Sequence, residues 1–378
     1  MRIDDDWLRH PATQAVMGLL TEAGHQALAV GGCVRNALLG APVSDIDIAT
    51  DARPDRVLAL AEAAQMRAIP TGLDHGTITL VVDGLPHEVT TFRRDVETDG
   101  RHAKVAFSDD PATDAARRDF TMNALYADRH GQVVDPLGGL ADLQAGHVRF
   151  IGDPAARITE DYLRILRFFR FTAWYGDPAL GLDAEGLAAC AEHQDGLDQL
   201  SRERVGHELR KLLAAPNPAP EVAGMAQAGI LARILPGSDP TPLAPLIHLG
   251  DTDWIARLAA LGGDAGHLRL SKQEAKTLHD LATAARDGTD PFTLGDELGP
   301  RARDVLLIRA ALLGEPIAPG AVEEARKGAD ETFPLTAADL MPDLQGPALG
   351  QALAKARTIW RRHKGAIDKQ ALIQAAKA

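Results

Sequence analysis

The chain has 378 residues, of which 45% are apolar and 4% aromatic, and its 53 Asp and Glu outnumber 40 Lys and Arg to give a net charge of −13. The apolar share excludes a disordered chain, the length predicts two or three domains, and Cys33 and Cys190 are too few for a disulfide framework or a zinc site. With an acidic start and no apolar run near the roughly 18 residues that a membrane helix needs, we expect a cytoplasmic protein without signal peptide or membrane span.

Short β-rich runs alternate with helical patterns up to about residue 140. Asp83 and Gly84 are typical of a two-residue hairpin turn between two of these runs. After residue 140 helical periodicity dominates, and Asp153 followed by Pro154 predicts the start of one long helix. The predicted strands are 27–30, 46–49, 77–82, 87–92, 124–127 and 132–134, and the early predicted helices are 33–39 and 56–64.

These patterns predict an α+β multidomain chain with a small mixed or antiparallel sheet in its first part and an all-α remainder. Proline-rich breaks at 216–220 and 236–245 separate helices that are rich in Ala and Leu. Because structure changes near residue 140 and the chain breaks again after 215, the expected domains are 1–140, 141–215 and 216–378.

Two short patterns suggest phosphate chemistry. Asp45 and Asp47 are two residues apart at a predicted strand, so their side chains point to one face and could hold hard cations for phosphoryl transfer. Two exposed aspartates at a strand end are the simpler interpretation. Upstream, Gly31 and Gly32 join a strand to a helix start, where a phosphate could approach the backbone, and Arg35 adds positive charge. An ordinary glycine-rich turn is the alternative there.

The run GGCVRNALLGAPVSDIDIAT at 31–50 resembles the signature of the tRNA nucleotidyltransferase and bacterial poly(A) polymerase family, the class II branch of the polymerase β-like nucleotidyltransferases. That family shows G-G-x-V-R-D, L-L-G and D-x-D-x-A-T. Asn36 stands where the pattern has Asp, and an amide still accepts a hydrogen bond but carries no charge. Three further segments resemble family motifs in order: RRDFTMNA at 117–124, DPLGG at 135–139 and EDYLRILR at 160–167.

The resemblance implies a role for each matching position. Asp45 and Asp47 would bind Mg²⁺, with Mn²⁺ as an alternative ion. Asp161 would accept a hydrogen bond from the exocyclic amino group that cytosine and adenine share, and Arg164 would donate to ring acceptors, so that no template is needed. The implied nucleotide-binding residues are Gly31, Gly32, Arg35, Arg118, Asp161, Arg164, Arg167 and Arg170.

Two of these assignments remain open. Glu88, on the predicted strand 87–92, is either a third catalytic carboxylate or an exposed residue that pairs with Arg93 or Arg94. Steps of three residues along one helix spread the charged residues of the last motif over about half of the helix circumference, so they cannot all face one pocket. Arg170 therefore has a structural ion pair as its alternative.

The family implies addition or repair of the 3′-terminal CCA of tRNA from CTP and ATP, with tRNA as partner, no membrane and no obligate protein partner. The domains would be a catalytic head at 1–140, a base-reading neck at 141–215, and a tRNA-binding body and tail at 216–378. The polar segment 95–105 resembles a flexible loop of the family and favours complete CCA addition over an enzyme that adds only part of it. A poly(A) polymerase on the same scaffold and an inactive RNA-binding protein also remain open.

Basic residues form two clusters that could hold RNA phosphates, although a solvent-facing charged helix is the alternative for each. Since phosphate backbones are held mainly by Lys and Arg, the net charge of −13 predicts weak non-specific RNA binding and favours a tRNA-selective enzyme over a general RNA tailer. The clusters are Arg202, Arg204, Arg210 and Lys211, and Lys355, Arg357, Arg361, Arg362, Lys364 and Lys369.

Overall fold

A computed structural model describes residues 1–99 and 102–378, with the side chains of 95–104 left undescribed. The contacts between residues divide the chain into two compact units, and each is described by itself. The first unit is Met1–Glu208 with Gly224–Arg233, and the second is Leu209–Ala223 with Ile234–Ala378. The three domains expected from the sequence stay a prediction.

The strands of the first unit are β1 Leu28–Val30, β2 Ile46–Thr50, β3 Arg67–Gly72, β4 Thr77–Val82, β5 Leu85–Thr91, β6 Arg93–Asp99, β7 His102–Phe107, β8 Tyr126–Ala127 and β9 Val133–Val134. Seven of them form a mixed sheet in the order β3-β4-β5-β2-β1-β8-β9, so the prediction of an α+β chain with a mixed sheet is confirmed. β1 is antiparallel to β2 and β8, and β2 is parallel to β5. A separate two-stranded sheet pairs β6 with β7.

The turn between β4 and β5 shows why the sequence folds this way locally. Asp83 has φ 52° and Gly84 has φ 78°, so both residues lie in the left-handed region that a tight hairpin turn requires. The sequence patterns do not indicate β3, because it is an outer strand, carries Pro70 and has little buried surface. The predicted loop at 95–105 is wrong in part, since β6 and β7 form a hairpin there, while residues 100–101 lie outside the described part of the chain.

Helices are the regular secondary structure of the described chain after residue 140, as predicted. They are α1 Asp6–Arg9, α2 Pro11–Glu22, α3 Gly32–Leu38, α4 Pro54–Ala63, α5 Pro111–Ala116, α6 Gly139–Ala145, α7 Pro154–Glu160, α8 Leu163–Tyr175, α9 Ala184–Glu192, α10 Arg202–Leu213, α11 Ala219–Gln227, α12 Ile230–Ile234, α13 Leu243–Leu249, α14 Trp254–Leu261, α15 Lys272–Ala284, α16 Pro291–Leu298, α17 Ala302–Leu313, α18 Ala321–Asp330, α19 Gly346–Arg362 and α20 Lys369–Lys377. In the described part of the chain, no helix is both long and apolar enough to cross a bilayer.

The predicted long helix after Asp153 is in fact two helices. Asp153 caps α7 as expected, because its carboxylate accepts hydrogen bonds from the N–H groups of Ala155 and Ala156. The helix then ends at Glu160, and Asp161 is extended, with φ −155° and ψ 104°. Asp161 therefore lies on a connection before α8. The argument that three-residue steps along one helix turn it away from the later arginines does not apply to it.

Aromatic packing fixes α8 within the first unit. The ring of Phe120 lies 4.9 Å from that of Phe150 and 5.1 Å from that of Phe171, measured between ring centroids. Phe150 and Phe168 stack at 5.5 Å. Each such pair contributes about 0.5–1.5 kcal/mol beyond its buried area. This cluster holds α8 against the segment that contains Arg118.

The second unit has a helical core of its own. Buried side chains of α13 to α18, among them Leu246, Ile255 and Val305, pack into one apolar cluster. The last two helices close a second cluster around Trp360, whose ring lies 5.1 Å from that of Phe292 and 5.6 Å from that of Phe333. Both cores are built from the Ala- and Leu-rich helices that the sequence predicts.

Candidate functional site

A glycine turn opens the site at the end of β1. Gly31 has φ 73° and ψ −120°, a conformation that side chains disfavour, and its N–H donates to the carbonyl of Leu125 at 3.1 Å. A Cβ on Gly31 would lie 3.4 Å from the Nη1 atom of Arg118, and a Cβ on Gly32 would lie 3.9 Å from the Nη2 atom of Arg35. The turn formed by these two glycines therefore lies between the guanidinium groups of Arg118 and Arg35.

Three carboxylates that the sequence singled out lie near one another on the sheet. Asp45 immediately precedes β2, Asp47 lies within it, and the parallel register places Asp47 beside Glu88 of β5. Burial, followed by the charge of Glu88, raises the pKa of Asp47 to about 6, with a smaller contribution from Asp45, while Arg118 opposes the rise. The structure therefore brings Asp45, Asp47 and Glu88 together beside the glycine turn.

The donor chemistry of this cluster fits a hard divalent cation. All three side chains offer carboxylate oxygens, which are the ligands that Mg²⁺ and Mn²⁺ prefer. Burial is the main cause of the raised pKa of Asp47, and the charges of Glu88 and Asp45 add to it, so a cation at this position would favour the ionised carboxylate. Among the described residues, however, no three His, Cys, Asp or Glu side chains already stand in an arrangement that encloses an ion. The fit rests on the donor set and its charge.

Arg118 is held in place by a buried carboxylate. Its Nη2 atom donates to Asp114 at 2.9 Å, and Tyr126 donates its hydroxyl to the same carboxylate at 2.8 Å. Burial alone would raise the pKa of Asp114, but Arg118 and Arg117 outweigh it and lower that pKa to about 2. Asp114 is 1% exposed, so this ionised carboxylate orients Arg118 toward the glycine turn without competing for its solvent-facing side.

Arg35 is almost completely buried below the turn, whereas the resemblance implies a nucleotide contact. Its guanidinium donates to the Asn123 side chain at 2.5 Å, to Asn36 at 2.9 Å and to the hydroxyl of Tyr175 at 2.8 Å. Burial lowers the pKa of Arg35, and Tyr175 partly offsets this. With 7% of its surface exposed, Arg35 can act on a ligand mainly through its charge and the Nη2 atom near Gly32.

A chain of buried polar contacts joins Arg35 to α8. Asn123 accepts from Arg35 and donates to Asp119 at 2.9 Å, and Asp119 accepts from the Nε atom of Arg167 at 2.7 Å. Burial would raise the pKa of Asp119, but Arg167 and Asn123 outweigh it and lower that pKa to about 2. The implied nucleotide residues Arg35 and Arg167 are thus held by one network, through two residues of the RRDFTMNA segment.

The two residues implied in base reading lie at the junction of α7 and α8. Asp161 accepts from the Nη2 atom of Arg204 at 2.6 Å and from the N–H of Leu163 at 3.1 Å. Arg164 donates to Glu160 at 2.5 Å and to the carbonyl of Arg117 at 2.9 Å. Both side chains are oriented by protein groups before any ligand binds, which reduces the entropy lost on binding.

Arg167 and Arg170 share a carboxylate that the sequence does not indicate. Glu208 of α10 accepts from the Nε atom of Arg170 at 2.5 Å and lies 3.9 Å from Arg167. Its side chain is 4% exposed and that of Arg170 is 10% exposed. Arg170 therefore forms a buried ion pair. This is the alternative to a nucleotide contact that the sequence analysis names for Arg170.

Several residues of the site are not predicted from the sequence. Asn123 and Tyr175 contact Arg35. Arg204 contacts Asp161, and Glu208 contacts Arg170. One signal is present, since Arg204 and Glu208 are four residues apart and therefore lie on one face of α10. The sequence indicates Arg204 only as a possible phosphate contact, and the structure pairs it with Asp161 instead.

Most of the predicted phosphate-binding cations are engaged in ion pairs. Arg210 pairs with Glu274. In the C-terminal cluster Arg357 and Arg361 both pair with Asp296, whose pKa they lower against the effect of burial. The remaining pairs are Lys364 with Glu324 at 2.7 Å and Lys369 with Asp339 at 2.6 Å. These contacts favour the interpretation of a charged helix surface over a continuous phosphate groove.

Comparison with known proteins identifies the family. Residues 27–149 match the Poly A polymerase head domain, and residues 180–241 match the family described as the probable RNA and SrmB- binding site of polymerase A. CCA tRNA nucleotidyltransferase 1, mitochondrial, of Mus musculus is 32% identical, over 94% of this chain and 87% of that protein. The chain belongs to the CCA-adding enzyme family. The resemblance stated from the motifs is confirmed, and the chain is a nucleotidyltransferase.

Other members of the CCA-adding enzyme family agree with this placement. The CCA-adding enzyme of Geobacillus thermodenitrificans (strain NG80-2) is 34% identical, over 82% of this chain and 80% of that protein. The crystal structure of the Bacillus stearothermophilus CCA-adding enzyme in complex with CTP superposes with a TM-score of 0.72 at 27% identity, covering 96% of both chains. The Thermotoga maritima enzyme complexed with tRNA shares the fold, with a TM-score of 0.72 at 18% identity over 99% of this chain and 96% of that one. Enzymes of this family use a divalent metal ion.

Proposed function

We propose that this protein adds or repairs the 3′-terminal CCA of tRNA, using CTP and ATP without a nucleic-acid template, in the cytoplasm. The observation that carries the proposal is the position of Asp47 beside Glu88 and next to the Gly31 turn, with Arg118 above the turn. This arrangement combines a carboxylate cluster for a cation with a glycine turn and positive charge for a triphosphate. Members of the family with known structures were solved in complex with CTP, ATP and tRNA.

Asp45 and Asp47 would hold the divalent cation, Mg²⁺ or Mn²⁺, with Glu88 as a neighbouring third carboxylate. When bound, such an ion supplies neutralisation of the triphosphate and lowers the pKa of the attacking hydroxyl. The reaction joins the 3′ oxygen of the RNA to the α-phosphorus of the nucleotide, and the bond to pyrophosphate breaks. The hydroxyl proton leaves to a base, and pyrophosphate departs with the electron pair of the broken bond.

The triphosphate would lie over Gly31 and Gly32. Arg118 donates from one side, held by the ionised Asp114. Arg35 contributes positive charge from below the turn. Arginine forks suit phosphate oxygens, and a low-dielectric site strengthens the attraction. The residues of this cradle orient the α-phosphorus toward the carboxylate cluster.

Asp161 and Arg164 would read the base. A carboxylate has about four lone-pair sites, and in Asp161 two of them are taken by Arg204 and the N–H of Leu163, so acceptors remain for an exocyclic amino group. Arg164 uses Nη1 and Nη2 for protein acceptors, and its remaining N–H groups are available for base acceptors. A uracil presents a carbonyl where cytosine has an amino group, so Asp161 would be left unpaired and UTP rejected.

One assay tests the proposed function against a poly(A) polymerase and a partial enzyme. Purified protein is supplied with tRNA that lacks CCA, with tRNA ending in C or CC, and with an unrelated hairpin RNA, each with labelled CTP, ATP or both. We expect two residues added from CTP alone and three from both nucleotides, on tRNA only. Long A tails on both RNAs would indicate a poly(A) polymerase, and addition of C alone or A alone would indicate a partial enzyme.

The metal requirement is tested in the same assay. Removal of divalent ions with a chelator is expected to stop incorporation, and Mg²⁺ or Mn²⁺ is expected to restore it. Asp45→Ala and Asp47→Ala should each abolish incorporation while the protein stays folded, as judged by circular dichroism. Turnover that survives either substitution contradicts the assignment of the metal residues, and a wild-type protein inactive with both ions contradicts the proposed enzyme.

A further inference from the structure

Arg35 has an unusual set of partners for a buried guanidinium. It is 7% exposed, and its acceptors are the side-chain oxygens of Asn36 and Asn123 and the hydroxyl of Tyr175. All three acceptors are neutral, and among the described residues no carboxylate lies within ion-pair distance of it. Buried arginines are usually paired with an anion, because an unpaired buried charge is costly. Asp119 favours the charged form of Arg35 but reaches it only through Asn123, so the groups that contact the guanidinium directly are neutral.

Asn36 explains why Arg35 has no carboxylate in direct contact. It occupies the position where the family signature has Asp. Its side-chain oxygen accepts from the Nε and Nη2 atoms of Arg35 at 3.2 and 2.9 Å, and its side-chain nitrogen donates to the carbonyl of Pro42 at 2.8 Å. A carboxylate could accept from Arg35 but could not donate to Pro42. The amide thus keeps the geometry of the contact and anchors the loop after α3, but it gives Arg35 no charged partner in direct contact.

Tyr175 also holds the guanidinium of Arg35 in place. It is the last residue of α8, and the Cζ atom of Arg35 lies 4.0 Å from the centroid of its ring. The hydroxyl of Tyr175 accepts from the Nη2 atom of Arg35 at 2.8 Å. Phe171, one turn earlier, adds a second ring whose centroid lies 5.1 Å from the same Cζ atom. An aromatic face attracts a guanidinium through its quadrupole, most strongly where water is excluded.

We infer that Tyr175 is a positioning residue for the nucleotide triphosphate site, and that it acts through Arg35 in place of the carboxylate that Asn36 has replaced. The ring and hydroxyl of Tyr175 fix the orientation of the guanidinium, whose Nη2 atom lies near Gly32. In this orientation Arg35 directs its positive charge toward the triphosphate. This inference rests on the proposed function, because it takes the Gly31 turn as the triphosphate site.

A simple packing role is the competing explanation, since Tyr175 also lies 5.5 Å from Phe171 in an aromatic cluster, measured between ring centroids. The two explanations differ in what a carboxylate at position 36 would do. Packing lost from position 175 would not be restored by a charge on α3. A charge partner for Arg35 would restore the orientation of Arg35 that Tyr175 normally maintains.

The experiment compares Tyr175→Leu, Tyr175→Phe, Asn36→Asp and the double variant Asn36→Asp with Tyr175→Leu, using steady-state kinetics for CTP and ATP. Loss of the hydroxyl and ring in Tyr175→Leu should raise KM about tenfold with kcat changed less than about threefold, since about 1.4 kcal/mol corresponds to tenfold. Tyr175→Phe keeps the ring and should raise KM by about threefold. The double variant should return KM to within about threefold of the wild-type value.

Phe169→Leu is the matched control. Phe169 lies on α8, is fully buried and packs against Phe168, so its loss weakens the same helix without touching Arg35. Its KM for CTP and ATP should equal that of the wild type. The inference is overturned if Tyr175→Leu leaves KM unchanged, if Phe169→Leu raises KM equally, or if Asn36→Asp does not restore the Tyr175→Leu variant.

A second measurement separates this inference from the proposed function. The midpoint of thermal unfolding is measured for the same variants without nucleotide, so that no activity is needed. Tyr175→Leu should lower the midpoint less in the Asn36→Asp background than in the wild type, because a carboxylate at position 36 then supports Arg35. If the decreases in the unfolding midpoint caused by the two substitutions simply add, a carboxylate at position 36 does not take over the role of Tyr175, and the inference is contradicted. A coupled pair in a protein without CCA addition would contradict only the proposed function.

Discussion

Asp47 and Glu88 lie side by side on the parallel strands β2 and β5, and burial together with this neighbour raises the pKa of Asp47 to about 6. The folded protein therefore binds a proton on Asp47 more tightly than the unfolded chain does, because the ordinary pKa of an aspartate is 3.8. The stability that this proton supplies is complete below about pH 4 and is lost as the pH rises through about 6. At neutral pH, the ionised carboxylate of Asp47 lowers the stability of the fold, and a bound cation would offset this cost.

This relationship predicts a stability gain on removing the charge. Asp47→Asn should raise the free energy of unfolding by about 1–2 kcal/mol above pH 6 without divalent metal, and the gain should vanish below about pH 4. Chemical denaturation at several pH values measures it. Saturating Mg²⁺ or Mn²⁺ should stabilise the wild type and leave the variant unchanged. An equal gain at all pH values would show that the charge of Asp47 is not its cause.

Arg204 donates to Asp161, the carboxylate that we propose to read the base, so we expect its loss to lower catalytic efficiency. Arg204→Met removes the 2.6 Å hydrogen bond to Asp161, so kcat/KM for CTP and ATP should fall together by about tenfold or more. Arg202→Met on the same helix is the matched control, because Arg202 is exposed. Asp161→Ala should in addition lose discrimination against UTP. Selectivity that survives Asp161→Ala would remove it from base reading.

The backbone of Gly31 predicts a strong local effect. Gly31→Ala forces a side chain into φ 73° and ψ −120° and places a methyl group 3.4 Å from Arg118, so we expect about 1–3 kcal/mol of destabilisation and a large loss of nucleotide binding. Gly24→Ala is the control, since Gly24 has φ 84° with no group within 4 Å of the added carbon. Unfolding and CTP titration measure both. Equal nucleotide binding in the two variants would contradict a role of the open turn.

The buried Glu208 predicts a loss of stability. Glu208→Gln leaves the buried cation of Arg170 without its carboxylate, while Arg167 keeps Asp119, and removing one partner of a buried pair costs about 3–5 kcal/mol. Denaturant unfolding measures the change. Glu185→Gln is the control, because Glu185 is exposed on α9, and it should change stability by less than about 0.5 kcal/mol. A small effect at Glu208 would mean that water solvates the charge of Arg170 in the variant.

Much of the local structure follows from the sequence. The strands β2, β4 and β5, the turn at Asp83 and Gly84 and the cap at Asp153 are all predictable, because each depends on neighbouring residues alone. The family motifs also indicate where nucleotide chemistry resides. The break at Asp161 is not predictable in this way, since the apolar periodicity of α7 and α8 continues across it and only the backbone conformation shows it.

The partners within the site were decided by the tertiary structure. The sequence by itself determined that Asp47, Arg35 and Asp161 are chemically suited to a nucleotidyltransferase, and it placed them on a strand, a helix start and a helical segment. It left open whether Glu88 would stand beside Asp47, and it did not indicate that Tyr175 would hold Arg35 or that Arg204 would hold Asp161. These residues are tens of positions apart along the chain, so their contacts depend on strand register and helix packing, which no local pattern encodes.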